Sequence, residues 1–473
     1  MANILLTTHG TYGDLFPFLR FGKTLKERGH AVTLVTHCVF AEHAARAGLE
    51  FAAIDTPEEH DQMVKYNDLL LSPLRNPGAL RAYHKEYNFV QRMRKEHEIL
   101  VEQCRRHSGS IIVSRHFTGI AGLLVAEKLS IPVAWVAPAP YYFSVLPLAV
   151  QTNIAIIGDE INALRLEFGL PPIKDWLAWV RSPCLNLGLW PAWFGMPQAD
   201  WPPKVKLTGF IAGDVDEDGK IPPEVENLLS SGEPTVIITG SSGTLFNTKF
   251  HLVALEACQL LGIRCLLVAP YRKFLPEHLP EGVMWVKDLP FVQIFPRLSA
   301  VIHHGGVGTL ARAVFAGIPQ LILADGVDRP DNAMRIQRMG VAEYLPPSEW
   351  KPDLIANALR RLLSESVKNK CRDLAQRVNE ADATNEACGY IEALLEEKSC
   401  WESPAFLEQP FHPTELNPVE EKHRLPATGV SKEAQPTALD NLSPEMRQLL
   451  ARRLAKKKAA PPSSDNSAEK GIS

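Results

Sequence analysis

The sequence predicts an α/β protein made of two doubly wound parallel-sheet domains, and three observations carry that expectation. Short, almost wholly apolar runs of strand length recur along the chain, as strands buried on both faces of a parallel sheet require; Asn3–Thr7, Ile111–Val113, Thr235–Thr239 and Ala300–Ile302 are examples. The chain opens as strand, polar loop, helix, strand. Asn3–Thr7 is followed by His9-Gly10-Thr11-Tyr12-Gly13-Asp14, a helical run to Arg28, a stop at Gly29, and Ala31–Thr36. Near residue 300 a strand–loop–helix unit is used twice in succession.

The totals bound the partners. The 473 residues suffice for two or three domains with real cores. A formal net charge of −4 argues against nucleic acid as the main partner. The eight cysteines contain no C-x-x-C pair, so neither a zinc nor a disulfide framework is expected, and a reducing compartment is. The opening MANILLTTHGTYGD reads as a first strand and not a signal peptide. No apolar run approaches the roughly 18 residues of a membrane span. A cytoplasmic protein is expected.

In the opening loop, His9 and Asp14 are the side chains suited to acid–base work. Asp14 is equally suited to capping the helix that follows. The loop lacks G-x-G-x-x-G and is not the dinucleotide fingerprint. From Asp61 to Arg106, Tyr83, Tyr87, Phe89 and Met93 fall at helical spacing and read as a core stripe. Ile111–Val113 ends at Ser114-Arg115-His116, and Ile131–Val136 leads into a proline and aromatic loop, Ala137 to Phe143. With Trp176, Trp179, Trp190 and Trp193 this loop fits either a greasy ligand cleft or ordinary packing. The acidic loop Gly213 to Gly219 begins like a calcium-binding EF-hand loop, but its twelfth position is Val225 where Glu is needed. It reads as a linker.

The second half opens with strand Thr235–Thr239 and the small-residue loop Gly240-Ser241-Ser242-Gly243-Thr244, which can approach a phosphate and donate hydroxyls to it. A helix follows over Phe250–Gly262, then strands Cys265–Ala269 and Met284–Val286, where Trp285 is either a stacking platform or a core residue. Ala300–Ile302 ends in His303-His304 and breaks into Gly305-Gly306-Val307-Gly308-Thr309 before a helix from Leu310 to Ala316. Glycines let amides crowd round an anion, the helix N-terminus adds partial positive charge, and a histidine adds a donor. A phosphate or pyrophosphate at the C-terminal edge of a parallel sheet is the expected ligand. Gln320–Ala324, the loop Asp325 to Asp331 and a helix ending at Gly340 repeat the unit.

Whole strings are more specific than single turns. HHGGVGT, AGIPQLIL and the D-x-P-D-N-A loop resemble the donor-binding signature of nucleotide-sugar-dependent glycosyltransferases of family 1, in the bacterial natural-product and sterol-glycosylating branch. TTHGTYGDLFPFL…ERGHAVTLVT resembles the opening of the same enzymes, and the likeness spans about residues 3–395. It implies the GT-B arrangement of two domains facing a cleft. The acceptor domain would be 1–205, the linker 206–225, the donor domain 226–384, and 385–398 a helix crossing back. It implies Asp14 as catalytic base, with His9 as runner-up and His116 as a stand-in for the residue that orients the base. For the donor it implies Ser241, Ser242, Gly243, Trp285, His304, Gly305, Gly306, Gly308, Thr309, Asp328 and Arg329, with His304 on the diphosphate and Asp328 on the sugar hydroxyls. Relatives carry Gln where Arg329 stands, and arginine cannot accept a hydrogen bond, so the sugar is left open. The implied reaction is inverting transfer from a UDP- or dTDP-hexose to a lipophilic hydroxylated acceptor, without metal. The rival readings are a catalytically silent scaffold and a sugar-nucleotide epimerase.

From Cys400 the composition turns to proline, charge and polar residues, and a disordered tail is expected over 400–473. One helix is expected there, 442–458, with Ser443 as N-cap and a basic cluster beside Leu449, Leu450 and Leu454. It faintly resembles linker helices of bacterial peptide synthetases; a membrane-surface contact or no function are the alternatives.

Overall fold

A computed structural model describes residues 1–66, 77–106, 109–116, 118–212, 219–240, 248–270, 272 and 275–396. Ser241, Ser242, Gly243, the acidic loop up to residue 218 and the tail with its helix 442–458 lie outside the described residues.

Two parallel sheets organise the chain. The first holds β1 (Asn3–Thr7), β2 (Ala31–Thr36), β3 (Glu50–Ala53), β4 (Ser110–Arg115), β5 (Val133–Ala137), β6 (Leu185–Gly188) and β7 (Val205–Leu207), in the order β3-β2-β1-β4-β5-β6-β7. The second holds β8 (Thr235–Thr239), β9 (Arg264–Val268), β10 (Val283–Val286), β11 (Ala300–His303), β12 (Gln320–Leu323) and β13 (Ala342–Leu345), in the order β10-β9-β8-β11-β12-β13. In both, the order reverses beside the first strand, between β1 and β4 and between β8 and β11, where Asn3 pairs with Ser110 and Ala300 with Val236. Ligands of open parallel sheets bind outside the carboxyl ends of the strands at such reversals. His9 follows β1, Arg115 ends β4 and His304 follows β11, so the candidate residues stand at these two places.

The central strands form because their side chains are apolar on both faces: β1 and β8 are buried at every position. Strands β3, β6 and β13 were not anticipated. β3 and β13 lie at sheet edges and are partly exposed, so they lack the all-apolar pattern. β6 is buried but carries Asn186, whose amide donates to the Pro203 carbonyl at 2.9 Å.

The helix Glu380–Ala393 starts at Glu380, earlier than the expected Asn385, because Asn379 caps it by accepting from the amides of Ala381 and Asp382. Its buried face, Ala383, Ala387, Cys388 and Ile391, joins the core formed by Phe18, Phe21 and Leu25 of the first helix, Tyr12–Glu27. Burying a side chain the size of Ile391 or Leu25 contributes about 1.5–3 kcal/mol, and the alanines less.

A further apolar cluster joins the two sheets. Phe143, Trp190, Phe194, Trp201 and Phe210 from the first half pack with Leu310, Val314 and Ile336 from the second. Of the tryptophans in the candidate cleft, Trp190 is a packing residue of this cluster and Trp193 packs against its edge. Trp190 is fully buried with its indole donating to the Gly195 carbonyl at 2.9 Å, and Trp179 is buried with its indole donating to Glu127 at 2.8 Å. Trp176 stands edge-on to Trp179, and Trp193 edge-on to Phe210.

The cysteine expectation needs one correction. Cys38, Cys104, Cys258, Cys265, Cys371 and Cys388 are free, but Cys184 is disulfide-bonded; the eighth cysteine, Cys400, lies outside the described residues. Among the described residues no helix is long and apolar enough to cross a membrane.

Candidate active site

The loop after β1 is held from several sides. Gly10 has φ +116°, a conformation that side-chain-bearing residues rarely adopt, and a Cβ there would lie 2.3 Å from Asp14 Oδ2. Asp14 sits in the first turn of Tyr12–Glu27 and accepts the Thr11 amide at Oδ2, 2.9 Å, closing one arm of a capping box. Its other oxygen, Oδ1, accepts from Arg115 Nε at 2.6 Å. Arg115 also donates to the Tyr142 hydroxyl at 3.3 Å and to the His116 carbonyl at 3.2 Å. Both readings of Asp14 thus meet in one side chain: it caps a helix, and it faces the crevice paired with an arginine. His116 does not reach it. That ring is buried edge-on between Trp135 and Phe143, and burial together with the Arg115 charge lowers its pKa to about 3.

His9 has a partner of its own. Its Nε2 lies 3.0 Å from Glu96 Oε1 on the helix Phe89–Arg106, and the same oxygen accepts from the Thr7 hydroxyl at 3.0 Å. Glu96 is 95 % buried while His9 is 21 % exposed, so the imidazole is the open end of the pair. Burial works against the imidazolium, but the Glu96 charge and hydrogen bond outweigh it and raise the His9 pKa above its ordinary 6.5. Glu96 was missed in the sequence. A signal was present: Met93, Glu96, Leu100 and Cys104 share one helical stripe, all buried, and a carboxylate on such a stripe needs a partner.

On the second sheet, His303 ends β11 and locks the turn. The Gly305 amide donates to its Nδ1 at 3.2 Å, so Nε2 carries the proton and donates to Gln320 Oε1 at 3.1 Å. Burial, only partly opposed by that bond, lowers the His303 pKa to about 4. Gly305 has φ +88°, and a Cβ there would lie 3.0 Å from the Arg329 carbonyl. Gly305→Ala should therefore cost on the order of 1–3 kcal/mol of stability; an unchanged denaturant midpoint would contradict this packing. His304 is 91 % buried, and burial, reinforced by the charges of Arg329 and His303, keeps its ring neutral. Gly306 is the N-cap of the helix Val307–Phe315, which therefore begins before the expected Leu310 and has Gly308 and Thr309 in its first turn.

The following loop brings the sugar-binding candidate into place. Val327 has φ +51°, an uncommon conformation for a β-branched residue, after Gly326 at +71°. Asp328 then occupies the N-cap position of the helix Arg329–Gln337. Asn332 donates to Asp328 Oδ2 at 2.8 Å and to the Gly305 carbonyl at 3.1 Å, tying this loop to the glycine turn. Burial raises the Asp328 pKa, with Arg329 and the Asn332 bond opposing. Arg329 folds back to donate to the Asp325 carbonyl at 2.9 Å. Trp285 is half-buried: its indole donates to the Ala269 carbonyl at 3.0 Å and its ring packs against the edge of the second sheet's core.

The two sides face one another. One cavity is lined by Gly13, Pro17 and Pro138 from the first half and by Val307, Gly308 and Ala311 from the helix of the second. Asp328 lies near enough to Arg115 and Tyr142 for its charge to be felt by both. The first half thus contributes a histidine–carboxylate pair and an arginine–aspartate pair in and beside the loop after β1, and the second half a helix N-terminus, whose Val307 and Gly308 share the cavity with Gly13, next to a neutral histidine. Together these can hold a diphosphate on one side and take a proton on the other.

Comparisons with known proteins bear on the family and fold of this chain. Residues 4–143 match the glycosyltransferase family 28 N-terminal domain, and residues 268–394 match the erythromycin biosynthesis protein CIII-like C-terminal domain, together more than half of the chain. The chain is 28 % identical to O-mycaminosyltylonolide 6-deoxyallosyltransferase of Streptomyces fradiae, an alignment covering 85 % of this chain and 99 % of that one. It is 26 % identical to sterol 3-beta-glucosyltransferase UGT80A2 of Arabidopsis thaliana over 80 % of this chain, and spans 63 % of that longer protein. Among solved structures, glycosyltransferase VinC in complex with dTDP superposes with a TM-score of 0.60 at 17 % identity, covering 83 % of this chain and 99 % of that one. The chain belongs to the family 1-like glycosyltransferases of the GT-B fold.

Proposed function

We propose that this protein moves a hexose from a nucleoside-diphosphate donor to a hydroxyl of a lipophilic small molecule, with inversion, using His9 as the base. The observation that carries the proposal is the His9–Glu96 pair in the loop after β1; further along that segment, Gly13 and Pro17 line one cavity with Val307 and Gly308 from the helix N-terminus of the second sheet. Neutral His9 with Nε2–H directed at Glu96 has its lone pair on Nδ1, which has no hydrogen-bond partner among the described residues. Asp14 is less suited: one oxygen holds the Thr11 amide and the other the Arg115 guanidinium.

In the step as we read it, His9 Nδ1 takes the proton from the acceptor hydroxyl while that oxygen attacks the anomeric carbon. The bond from carbon to diphosphate oxygen breaks on the opposite face, and its electron pair leaves with the diphosphate. The transition state is oxocarbenium-like. Growing charge on the leaving group is met by the amides of Val307, Gly308 and Thr309 and by neutral His304. Glu96 stabilises the imidazolium that forms. Asp328, fixed by Asn332, is placed to accept from sugar hydroxyls. The diphosphate charge is matched by protein groups, so transfer should survive EDTA. The acceptor class is supported by relatives named for a macrolide and for sterols, both lipophilic hydroxylated molecules. The dTDP in the VinC structure makes dTDP the first nucleotide to try, and UDP the second.

Calorimetric titration with dTDP, UDP and GDP tests the donor half. Metal-independent binding of one of them is expected; no binding of any would favour the silent scaffold. The pH profile tests the base. A base works unprotonated, so turnover should rise with pH through the His9 pKa, which lies above 6.5. Glu96→Gln removes the charge that raises it and should move this limb to lower pH. A limb that stays put would take Glu96 out of the mechanism.

A further inference from the structure

We propose that His37, oriented by Asp55, is a positioning residue for His9, acting through the backbone of the loop between His9 and Asp14. The proposal rests on His9 as the base. His37 follows β2, its side chain is fully buried, and its ring lies 5.6 Å from the His9 ring. The Gly10 amide, next in chain to His9, donates to His37 Nε2 at 3.3 Å. An imidazole that accepts at Nε2 carries its proton on Nδ1, and His37 Nδ1 lies 2.6 Å from Asp55 Oδ2. Asp55 is buried in turn, with Oδ1 accepting from the Cys38 amide at 2.8 Å and His60 Nδ1 lying 3.6 Å from Oδ2. The chain of bonds runs from Asp55 through His37 to Gly10, and it gives His37 one tautomer and one direction.

The cost of this arrangement is what points to a task. A carboxylate and an imidazole buried together are expensive where apolar side chains would pack as well. The backbone they hold bears the candidate base, and it is held again one residue later, where Asp14 takes the Thr11 amide. Two successive amides are thus each held by a side chain, with Gly10 at φ +116°. His9 rises from a backbone tied down at the two residues that follow it, while Glu96 holds its ring. The trio His37, Asp55 and His60 has the composition of a cation site, with ligand-type atoms within 4.8 Å of one another. The Gly10 amide decides against it: with Nε2 accepting, the Nδ1 that faces Asp55 holds a proton and no lone pair.

The test compares His37→Leu with His37→Gln in the full chain. Glutamine can accept from Gly10 and donate to Asp55, whereas leucine does neither. Release of nucleoside diphosphate from the matching nucleotide sugar gives kcat and KM, and ring ¹⁵N signals of labelled histidine report the His9 tautomer. Leucine should lower kcat about 10–100-fold with donor KM within about twofold, and glutamine should restore it to within about threefold. In the leucine variant the Nε2–H form of His9 should give way to a mixture of tautomers. Should leucine not fold, His37→Asn, too short to bridge both partners, takes its place with the same expectation. Equal losses in the leucine and glutamine variants, or an unchanged kcat and His9 signal with leucine, would overturn the proposal. A wild-type protein that releases no nucleotide would instead sink the reading of function, and the His9 signals would still report on His37.

Discussion

Replacing His9 with alanine should lower kcat by about 10³-fold or more, while affinity for the nucleoside diphosphate stays within about twofold of wild type. The asymmetry follows from where the residue stands. His9 belongs to the loop after β1 and the diphosphate candidates to the turn after β11, so the change deletes proton transfer without touching the donor's anchor. Glu96→Gln should fall between, with a loss of about 10²-fold, because the imidazole remains but its protonated form loses the opposite charge. Steady-state release of the diphosphate with saturating acceptor reads both. A His9→Ala protein with wild-type kcat would remove the base from this position altogether.

The second large effect is expected at His304. His304→Ala should weaken dTDP or UDP about tenfold, or about 1.4 kcal/mol, and lower kcat by a further 10²–10³-fold, roughly the loss seen when one preorganised donor to a developing anion is removed. The ring is buried and held neutral, so it enters as a hydrogen-bond donor in a dry site and not as a cation. Thymidine or uridine, which lack the phosphates, should bind the variant as they bind wild type. Undiminished diphosphate affinity by calorimetry would move the phosphate site elsewhere.

How much of this could be read from the sequence varies with the kind of residue. The central strands and the glycine turn were legible because each is a local pattern: β1, β8 and β11 are apolar throughout, and a turn that packs its backbone against Arg329 needs glycine at 305. The helix after that turn was placed too late, since Gly308 and Thr309 are poor helix formers. In a first turn the amides have no intrahelical partner, and glycine costs little there. Edge strands β3 and β13 escaped because half-exposed strands lack the all-apolar signature.

The pairing of site residues was not legible for a different reason. Glu96 is 87 positions from His9, and Arg115 is 101 positions from Asp14. They meet only because β4 lies beside β1 and the helix Phe89–Arg106 leads into it. A motif could mark His9 and Asp14 as candidates, but it could not say that His9 would pair with Glu96 and Asp14 with Arg115. The aromatic residues were ambiguous from the sequence. A tryptophan-rich stretch suits a cleft as well as a seam, and Trp190 and Trp201 became the seam between the two sheets.

The claim at the centre of this account, that His9 and not Asp14 takes the acceptor's proton, is tested most directly by turnover of His9→Asn and Asp14→Asn side by side at saturating donor and acceptor. Asparagine at 14 can still accept the Thr11 amide, so that variant should keep activity within about tenfold of wild type, whereas His9→Asn should lose about 10³-fold. An inactive Asp14→Asn beside an active His9→Asn would contradict the account and return the base to Asp14.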